Sequence, residues 1–248
     1  MQPITTLVAV AVLVAITLGI VLALRLEHPW LQPWAIVRAV VQLGILSLIL
    51  SGIIRDPGWV AVFLGVMVGA AVWTICRRLR LSWAAVLPIA GITLLAAAIP
   101  VVLVFAVGAV ELSPRYILAV GGIVIGNTMT VSTLMGRNLG SQIVLRRDEL
   151  EAWFSLGATP RQSAKPLVRS AASTALIPTT DQTRTTGLVT LPGAFVGSIF
   201  AGASPLAAAQ FQIIVLAAIL ATSALAVAGL GFLFGAPKLI PLEERPLL

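Results

Sequence analysis

The sequence predicts an all-α polytopic membrane protein with about seven transmembrane helices. Of its 248 residues, 59% are hydrophobic and only 10% are charged, whereas a soluble domain has about 25% charged residues. The apolar residues are gathered into runs of about 20 residues, the length at which a helix crosses the hydrocarbon core of a bilayer. The composition therefore favours lipid as the solvent, and residues 1–248 are expected to form one transmembrane domain.

The apolar runs predict the spans in order along the chain. They cover residues 4–24, 34–54, 59–76, 83–105, 116–135, 188–203 and 207–234. The run at 188–203 is the shortest and is interrupted by Pro192 and several glycines, so it is expected to be broken, tilted or extended by upstream residues. Because of this weak run, six or eight spans are alternatives to seven.

The basic residues predict the orientation. All of the 16 Lys and Arg residues except Arg38, Arg55 and Arg115 lie after the first, third, fifth or seventh run. The positive-inside rule therefore places the N-terminus outside and the C-terminus in the cytoplasm of a cell membrane, plasma or inner. The net charge of +7 is spread over short loops, which does not suit nucleic-acid binding, since that needs a dense cationic face.

The one long loop, 136–186, falls on the cytoplasmic side in this topology. Its first part predicts an amphipathic helix that ends at Gly157, because glycine is the usual residue at a helix C-terminus. Thr159 and Pro160 then predict a new helix start, and Gln162 completes a capping box with Thr159. Apolar residues are expected on one face of the first helix: Leu150, Trp153, Phe154 and Leu156.

An ordinary interfacial helix would also explain this periodicity. The residue order is more specific, since it resembles the EAA loop of ABC-transporter permease subunits. By this resemblance, the residues that couple the chain to an ATPase are Glu151, Ala152, Gly157, Ala158, Thr159 and Pro160. It implies that this loop is a coupling helix that docks on a cytoplasmic ABC ATPase subunit. Trp153 stands where that loop usually has a second alanine.

A second resemblance covers residues 34–235. The chain is similar to the FetB family of ABC-transporter permeases, which includes bacterial iron-export permeases and plant aluminium-tolerance membrane subunits. The resemblance implies a homodimer that exports metal ions, iron being expected, with ATP and Mg²⁺ held by the partner ATPase. Ala194 and Phe195 stand where methionines are expected. The shared motifs are Arg38-Ala-Val-Val-Gln42-Leu43, Ile125-Gly126-Asn127-Thr128-Met129, the Glu151–Thr159 segment, Gly187-Leu-Val-Thr-Leu191-Pro192-Gly193, Gly197, Ala201-Gly202-Ala203-Ser204-Pro205, Gln210 and Gln212.

Polar residues inside or beside the spans are candidates for a substrate path or gate. Asn127, Thr128 and Met129 lie in mid-span, where polar groups either bond a neighbouring helix or line a cavity. Asp181 precedes the sixth run and forms either a surface pair with Arg184 or a gate.

Three further positions are considered with them. Arg38 either snorkels to the surface or bonds the carbonyls of a broken helix. Gln210 and Gln212 point about 200° apart on a helix, so at most one faces a path. Pro192 and Gly193 are a candidate hinge.

Several kinds of activity are excluded or disfavoured. No phosphate-binding G-x-x-x-x-G-K-[ST] segment is present, so the chain is not expected to hydrolyse ATP itself. His28 is the only histidine and Cys76 the only cysteine, so no metal-ligand pattern is visible. No confident span contains a carboxylate, which disfavours an ion-coupled secondary carrier. The remaining alternative to a permease is a membrane scaffold or sensor that docks a cytoplasmic partner without transport.

Overall fold

The structure, a computed structural model, describes residues 3–53 and 56–237. Within these ranges all regular elements are helical, apart from one isolated bridge between Thr186 and Thr190. The predicted all-α class is confirmed. The chain forms two compact units, which divide between Arg55 and Asp56.

The first unit is a pair of helices in contact with each other, α1 (Pro3–Ala23) and α2 (Leu31–Ile53). Both are apolar on every side, and nearly all of their described side chains are exposed within the unit. A helix that is hydrophobic all round is suited to a bilayer. The surface of this unit is therefore suited to contact with lipid.

Over residues 56–237, the second unit contains seven α-helices. Polar caps begin several of them: Asp56 accepts a hydrogen bond from the Gly58 N–H at 2.8 Å, and Ser204 accepts one from the Ala207 N–H. A short 3₁₀ turn, Trp83–Ala85, leads directly into the second of these helices. The helices are α3 (Pro57–Arg78), α4 (Val86–Ala106), α5 (Pro114–Leu145), α6 (Arg147–Ser155), α7 (Pro160–Thr185), α8 (Gly193–Phe200) and α9 (Pro205–Phe234).

Six helices of the described chain are long and apolar enough to cross a membrane: α1, α2, α3, α4 with its preceding turn, α5 and α9. The predicted span at 188–203 is not among them. It contains only the eight residues of α8, about 12 Å of helix against a hydrocarbon core of about 30 Å. Gly187 has a φ of 87°, a left-handed conformation that stops a helix, and the break continues to Pro192.

Helix α5 lies at the centre of the second unit and contacts α3, α4, α7 and α9. Leu64 packs against Gly121 and Leu79 against Gly136, so α3 and α5 run parallel. Tyr116 packs against Phe211 with ring centroids 5.4 Å apart, and Met135 lies near Gly231, so α9 also runs parallel to α5. All three therefore end at the same end of the bundle.

The predicted long loop at 136–186 is mostly helical. Helix α5 continues to Leu145, and α7 extends over 26 residues, about 39 Å. Helix α7 starts beside the C-terminal ends of α5 and α9 and runs back along both. The start of α7 is the helix start predicted at Thr159 and Pro160, and the helix continues through Pro166 to Thr185, with small apolar residues on one face and polar residues on the other. The buried face consists of Ser163, Ala164, Leu167, Ala171, Ala175 and Thr179.

Candidate coupling corner and candidate transport path

The corner between α6 and α7 is built by local backbone bonds. The Ala158 N–H donates to the Trp153 carbonyl at 3.0 Å, and the Gly157 N–H donates to the Phe154 carbonyl at 2.9 Å. This pair of bonds is a Schellman motif, which requires a left-handed residue after the helix. Gly157 meets that requirement with a φ of 83°. The predicted helix end at Gly157 is confirmed.

The start of α7 has the predicted capping box. The Thr159 N–H donates to Gln162 Oε1 at 2.9 Å, and the Gln162 N–H donates to Thr159 Oγ1 at 3.4 Å. Pro160 occupies the first turn, where its missing N–H has no cost. The turn between the two helices is thus closed from both sides by its own residues, so its geometry is defined locally.

Two contacts fasten this corner to the bundle. Leu150 is buried in the core that α3, α5, α7 and α9 share. Arg161 donates from Nη2 to the Phe232 carbonyl at 2.8 Å, and its guanidinium lies 4.4 Å from the centre of the Phe232 ring. The sequence analysis missed Arg161, since its partner is 71 residues away in α9. The corner is therefore attached to the bundle at Leu150 and at Phe232 of α9.

The outer surface of the corner is apolar and exposed. Trp153 and Leu156 have 45% and 81% of their surface exposed. Glu151 is also exposed and accepts a 2.6 Å hydrogen bond from Arg147 Nε, one turn earlier on α6. The sequence analysis placed Leu150, Trp153, Phe154 and Leu156 on one face. Of these, Leu150 is buried and Phe154 half-buried, whereas Trp153 and Leu156, the residue after the helix, are exposed.

The mid-span residues of α5 take part in helix packing. Asn127 Nδ2 donates to Ser223 Oγ at 2.8 Å and to the Ile219 carbonyl at 3.3 Å, both on α9. Thr128 is fully buried and donates to the Val124 carbonyl of its own helix. Met129 is half-buried between the two apolar clusters. Of the two predicted alternatives for Asn127, the structure has the interhelical hydrogen bond.

The other candidate path residues are dispersed. Arg38 is exposed on α2, in the first unit. Asp181 and Arg184 are exposed near the end of α7, and the ion pairs of the described residues include neither. Gln210 is exposed on α9. Its neighbour Gln212 is buried, with Oε1 lacking a hydrogen-bond partner.

Pro192 and Gly193 lie where the chain passes from the break into α8. Pro192 is the N-cap residue of α8 and Gly193 its first helical residue. The Gly187 N–H donates to the Thr190 carbonyl at 2.9 Å, which closes a tight turn just before them. The predicted helix break is therefore present, and a role as a hinge stays a prediction.

A polar face on α7 was missed by the sequence analysis, which predicted a helix start at Thr159 and Pro160 but not one long helix to Thr185. The face opposite the buried one is exposed along the whole helix. Gln142 Nε2 on α5 donates to Ser170 Oγ at its edge, at 3.1 Å. The exposed polar residues, besides those of the corner, are Lys165, Arg169, Ser170, Ser173, Thr174, Asp181, Gln182 and Arg184. These residues form two polar stretches, 165–174 and 181–184, with exposed Ile177 and Pro178 between them, beside the apolar spans α5 and α9.

Comparison with known proteins shows the family. Residues 4–236 match the uncharacterised protein family UPF0014. The chain belongs to UPF0014. The chain is 34% identical over 197 residues to the "Probable iron export permease protein FetB" of Escherichia coli K12, an alignment that covers 76% of this chain and 73% of that protein. The predicted resemblance to the FetB family is thereby confirmed.

Other UPF0014 relatives come from distant organisms. The "UPF0014 membrane protein YjkA" of Bacillus subtilis is 32% identical over 195 residues, 76% of each chain. The "UPF0014 membrane protein STAR2" of rice is 36% identical over 186 residues, which cover 72% of this chain and 64% of the rice protein. No solved structure matches the chain. The UPF0014 chain is thus a multi-pass membrane protein with permease relatives.

Metal ligands are not clustered in the part of this UPF0014 chain that the structure describes. No group of three or more His, Cys, Asp or Glu residues there has a geometry that could hold a metal ion.

Proposed function

We propose that the chain is the membrane-spanning permease subunit of an ABC transporter. Two copies would form the membrane part, and each would dock a separate cytoplasmic ATPase subunit that binds ATP and Mg²⁺. The observation that carries the proposal is the α6–α7 corner, whose exposed apolar surface is attached firmly to the long helices. The family membership and the FetB relative support the permease assignment.

The corner has the properties that a coupling element needs. Trp153 and Leu156 offer exposed apolar area that an ATPase surface can bury, and aromatic residues are frequent anchors of protein interfaces. The buried Leu150 and the Arg161–Phe232 contact pass a push on that surface to α5 and α9. No group in the corner needs to react, because its task is mechanical.

The polar face of α7 supports a transport path. Lys165 and Arg169 lie in the first half of α7 and Asp181 and Arg184 in its last turns, and such side chains avoid hydrocarbon, where insertion costs rise to about 2.5–3.5 kcal/mol at the centre. The polar face therefore meets water or a second polar surface, and a path between two copies supplies both. A scaffold or sensor that only docks a partner has no need of this face, which favours the permease over that alternative.

Metal-ion export is the transport activity that we propose, with iron as the first candidate because FetB is named as an iron-export permease. ATP-driven closure of the docked subunits would move the corner and switch the path between its inward-facing and outward-facing states. With the corner in the cytoplasm, as the positive-inside rule predicts, the ATPase binds the end of the bundle where α5 and α9 finish.

The test is co-expression of the chain with its candidate ATPase, followed by co-purification and ATPase assays across metal ions in vesicles. Leu156→Ser and Trp153→Ser should reduce co-purification of the ATPase by at least tenfold when combined, since exposed interface anchors cost about 2 kcal/mol or more. Leu188→Ser is the matched control, because Leu188 is 91% exposed but lies at the far end of α7.

All three variants should keep the chain folded and in the membrane, since exposed substitutions change stability little. An ATPase that co-purifies equally with Leu156→Ser, Trp153→Ser and Leu188→Ser would refute the docking assignment. An ATPase that binds but is stimulated by no transported ion would leave the scaffold as the better function.

A further inference from the structure

A groove with no role in the proposed function lies on the second unit, between α3 and α4. It has a volume of about 730 Å³ and a mainly apolar lining. Gly65 and Gly69 form part of its floor, and a side-chain carbon at either would meet no atom within 4 Å. Because these two positions lack side chains, the groove has free space along this part of α3.

One end of the groove is cationic and aromatic. Arg77 and Arg80 line it, both are exposed, and the ion pairs of the described residues include neither. Trp73 and Trp83 form its wall, with ring centroids 6.3 Å apart. Arg80 has a φ of 51°, a left-handed backbone conformation that is less strained for glycine than for arginine.

This end of the groove lies at the level expected for lipid headgroups. Leu79, between the two arginines, packs against Gly136 of α5. Helix α5 continues from there for nine residues to Leu145, about 14 Å, before α6 begins. Tryptophan and arginine at the end of a span are typical of the membrane–water interface. The apolar part of the groove then extends from the headgroup level into the hydrocarbon region.

We propose that the groove binds one anionic phospholipid, with its phosphate between Arg77 and Arg80 and an acyl chain along Gly65 and Gly69. Charge complementarity selects this occupant. Two unpaired guanidiniums fit phosphate oxygens, and basic pockets between spans on the cytoplasmic side are suited to anionic headgroups. The apolar remainder of the groove fits a hydrocarbon chain and has no other polar group to satisfy.

The experiment uses the purified full chain in detergent and measures lipid binding by native mass spectrometry. Dioleoyl phosphatidylglycerol is compared with dioleoyl phosphatidylcholine, which has the same acyl chains and no net charge. The first lipid to bind should bind more tightly when it is phosphatidylglycerol than when it is phosphatidylcholine. Arg77→Gln and Arg80→Gln should each weaken that binding by about fivefold, equivalent to about 1 kcal/mol per basic residue.

Arg78→Gln is the matched control for charge, because Arg78 is exposed in the same segment but does not line the groove. It should keep the wild-type preference. Gly69→Leu tests the acyl-chain part by filling the floor and should weaken binding of phosphatidylglycerol. Gly91→Leu is its control, since Gly91 is an exposed glycine of α4 with open space around it and lies outside the groove.

Cys76 provides a second measurement without any substitution. It is the only cysteine of the chain, lines the groove and is only 7% exposed, so its slow alkylation by a maleimide should be slowed further by phosphatidylglycerol and less by phosphatidylcholine. Equal binding of the two lipids, or an equal loss in Arg78→Gln and Arg77→Gln, would overturn the proposal. A Gly69→Leu variant that changed the oligomeric state but not lipid binding would assign the groove to a second copy instead.

Discussion

Asn127 makes a side-chain contact between two apolar helices of the second unit. Its amide on α5 donates to Ser223 Oγ and to the Ile219 carbonyl of α9. Inside a membrane bundle such a bond is favourable because the unbonded amide would otherwise lie among hydrocarbon. At the scale of single residues, this makes Asn127 a packing residue.

A double-mutant cycle tests this assignment. Asn127→Ala and Ser223→Ala should each destabilise the chain, and the coupling energy between them should be about 0.6 kcal/mol, the average for interhelical hydrogen bonds in membrane proteins. The measurement is the free energy of unfolding in mixed micelles. Thr130→Ala is the control, since Thr130 bonds only the Gly126 carbonyl of its own helix. Additive effects for Asn127 and Ser223 would contradict the assigned bond.

Residue identity alone did not reveal this contact. The sequence shows that Asn127 is polar and lies in mid-span, which is compatible with a hydrogen bond to a neighbouring helix and with a place on a substrate path. Choosing between them needed the position of Ser223, which is 96 residues away. The same holds for Gln210 and Gln212, where the structure buries Gln212 and exposes Gln210.

The α6–α7 corner is the element whose shape depends most on one residue. Gly157 adopts a left-handed conformation, with open space where a Cβ would be. A substitution there is thus penalised by backbone strain and not by a collision. The corner's stiffness follows from this local geometry together with the capping box that starts α7.

Gly157→Ala should lower the free energy of unfolding by about 1 kcal/mol, the cost of a left-handed conformation for a residue with a Cβ. Thermal unfolding in detergent measures it. Gly197→Ala is the matched control, because Gly197 is a helical glycine of α8, also with open space around it, and alanine in a helix is neutral or stabilising. A Gly157→Ala variant as stable as Gly197→Ala would mean that the left-handed cap is dispensable.

Local signals predicted these boundaries well. Glycine, threonine, proline and glutamine in the right order define a helix end and a helix start through bonds between residues at most five apart. The burial of the individual apolar residues of α6 was not predicted. Which apolar side chain of a short helix is buried depends on where the neighbouring helices lie, and periodicity does not contain that information.

Across the whole molecule, α7 is the element that decides how a path can be built. It is 26 residues long, packs along α5 and α9, and exposes a polar face beside apolar spans. Short α8 then follows the break at 186–192. The long polar helix and the short apolar one together replace the single span that was predicted at 188–203.

Accessibility to water tests the path. In a Cys76→Ala background, Ser173→Cys on the polar face of α7 should react with a membrane-impermeant maleimide in vesicles. Val102→Cys on α4 should not, because Val102 is 63% exposed within the chain but is expected to face lipid, where the reagent does not enter. A Ser173→Cys variant as unreactive as Val102→Cys would show that α7 does not line water.

The sequence by itself determined the membrane environment, the positions of most spans, and the helix–turn–helix corner with its caps. Those features depend on composition over about 20 residues or on bonds between close neighbours, and both are visible in the chain order. Only the tertiary structure decided the partner of Asn127, the attachment of Arg161 to Phe232 and the placement of α7. These features depend on which helices become neighbours. One face of α7 is buried against α5 and α9, although the composition of α7 is too polar to predict a packed helix of 26 residues.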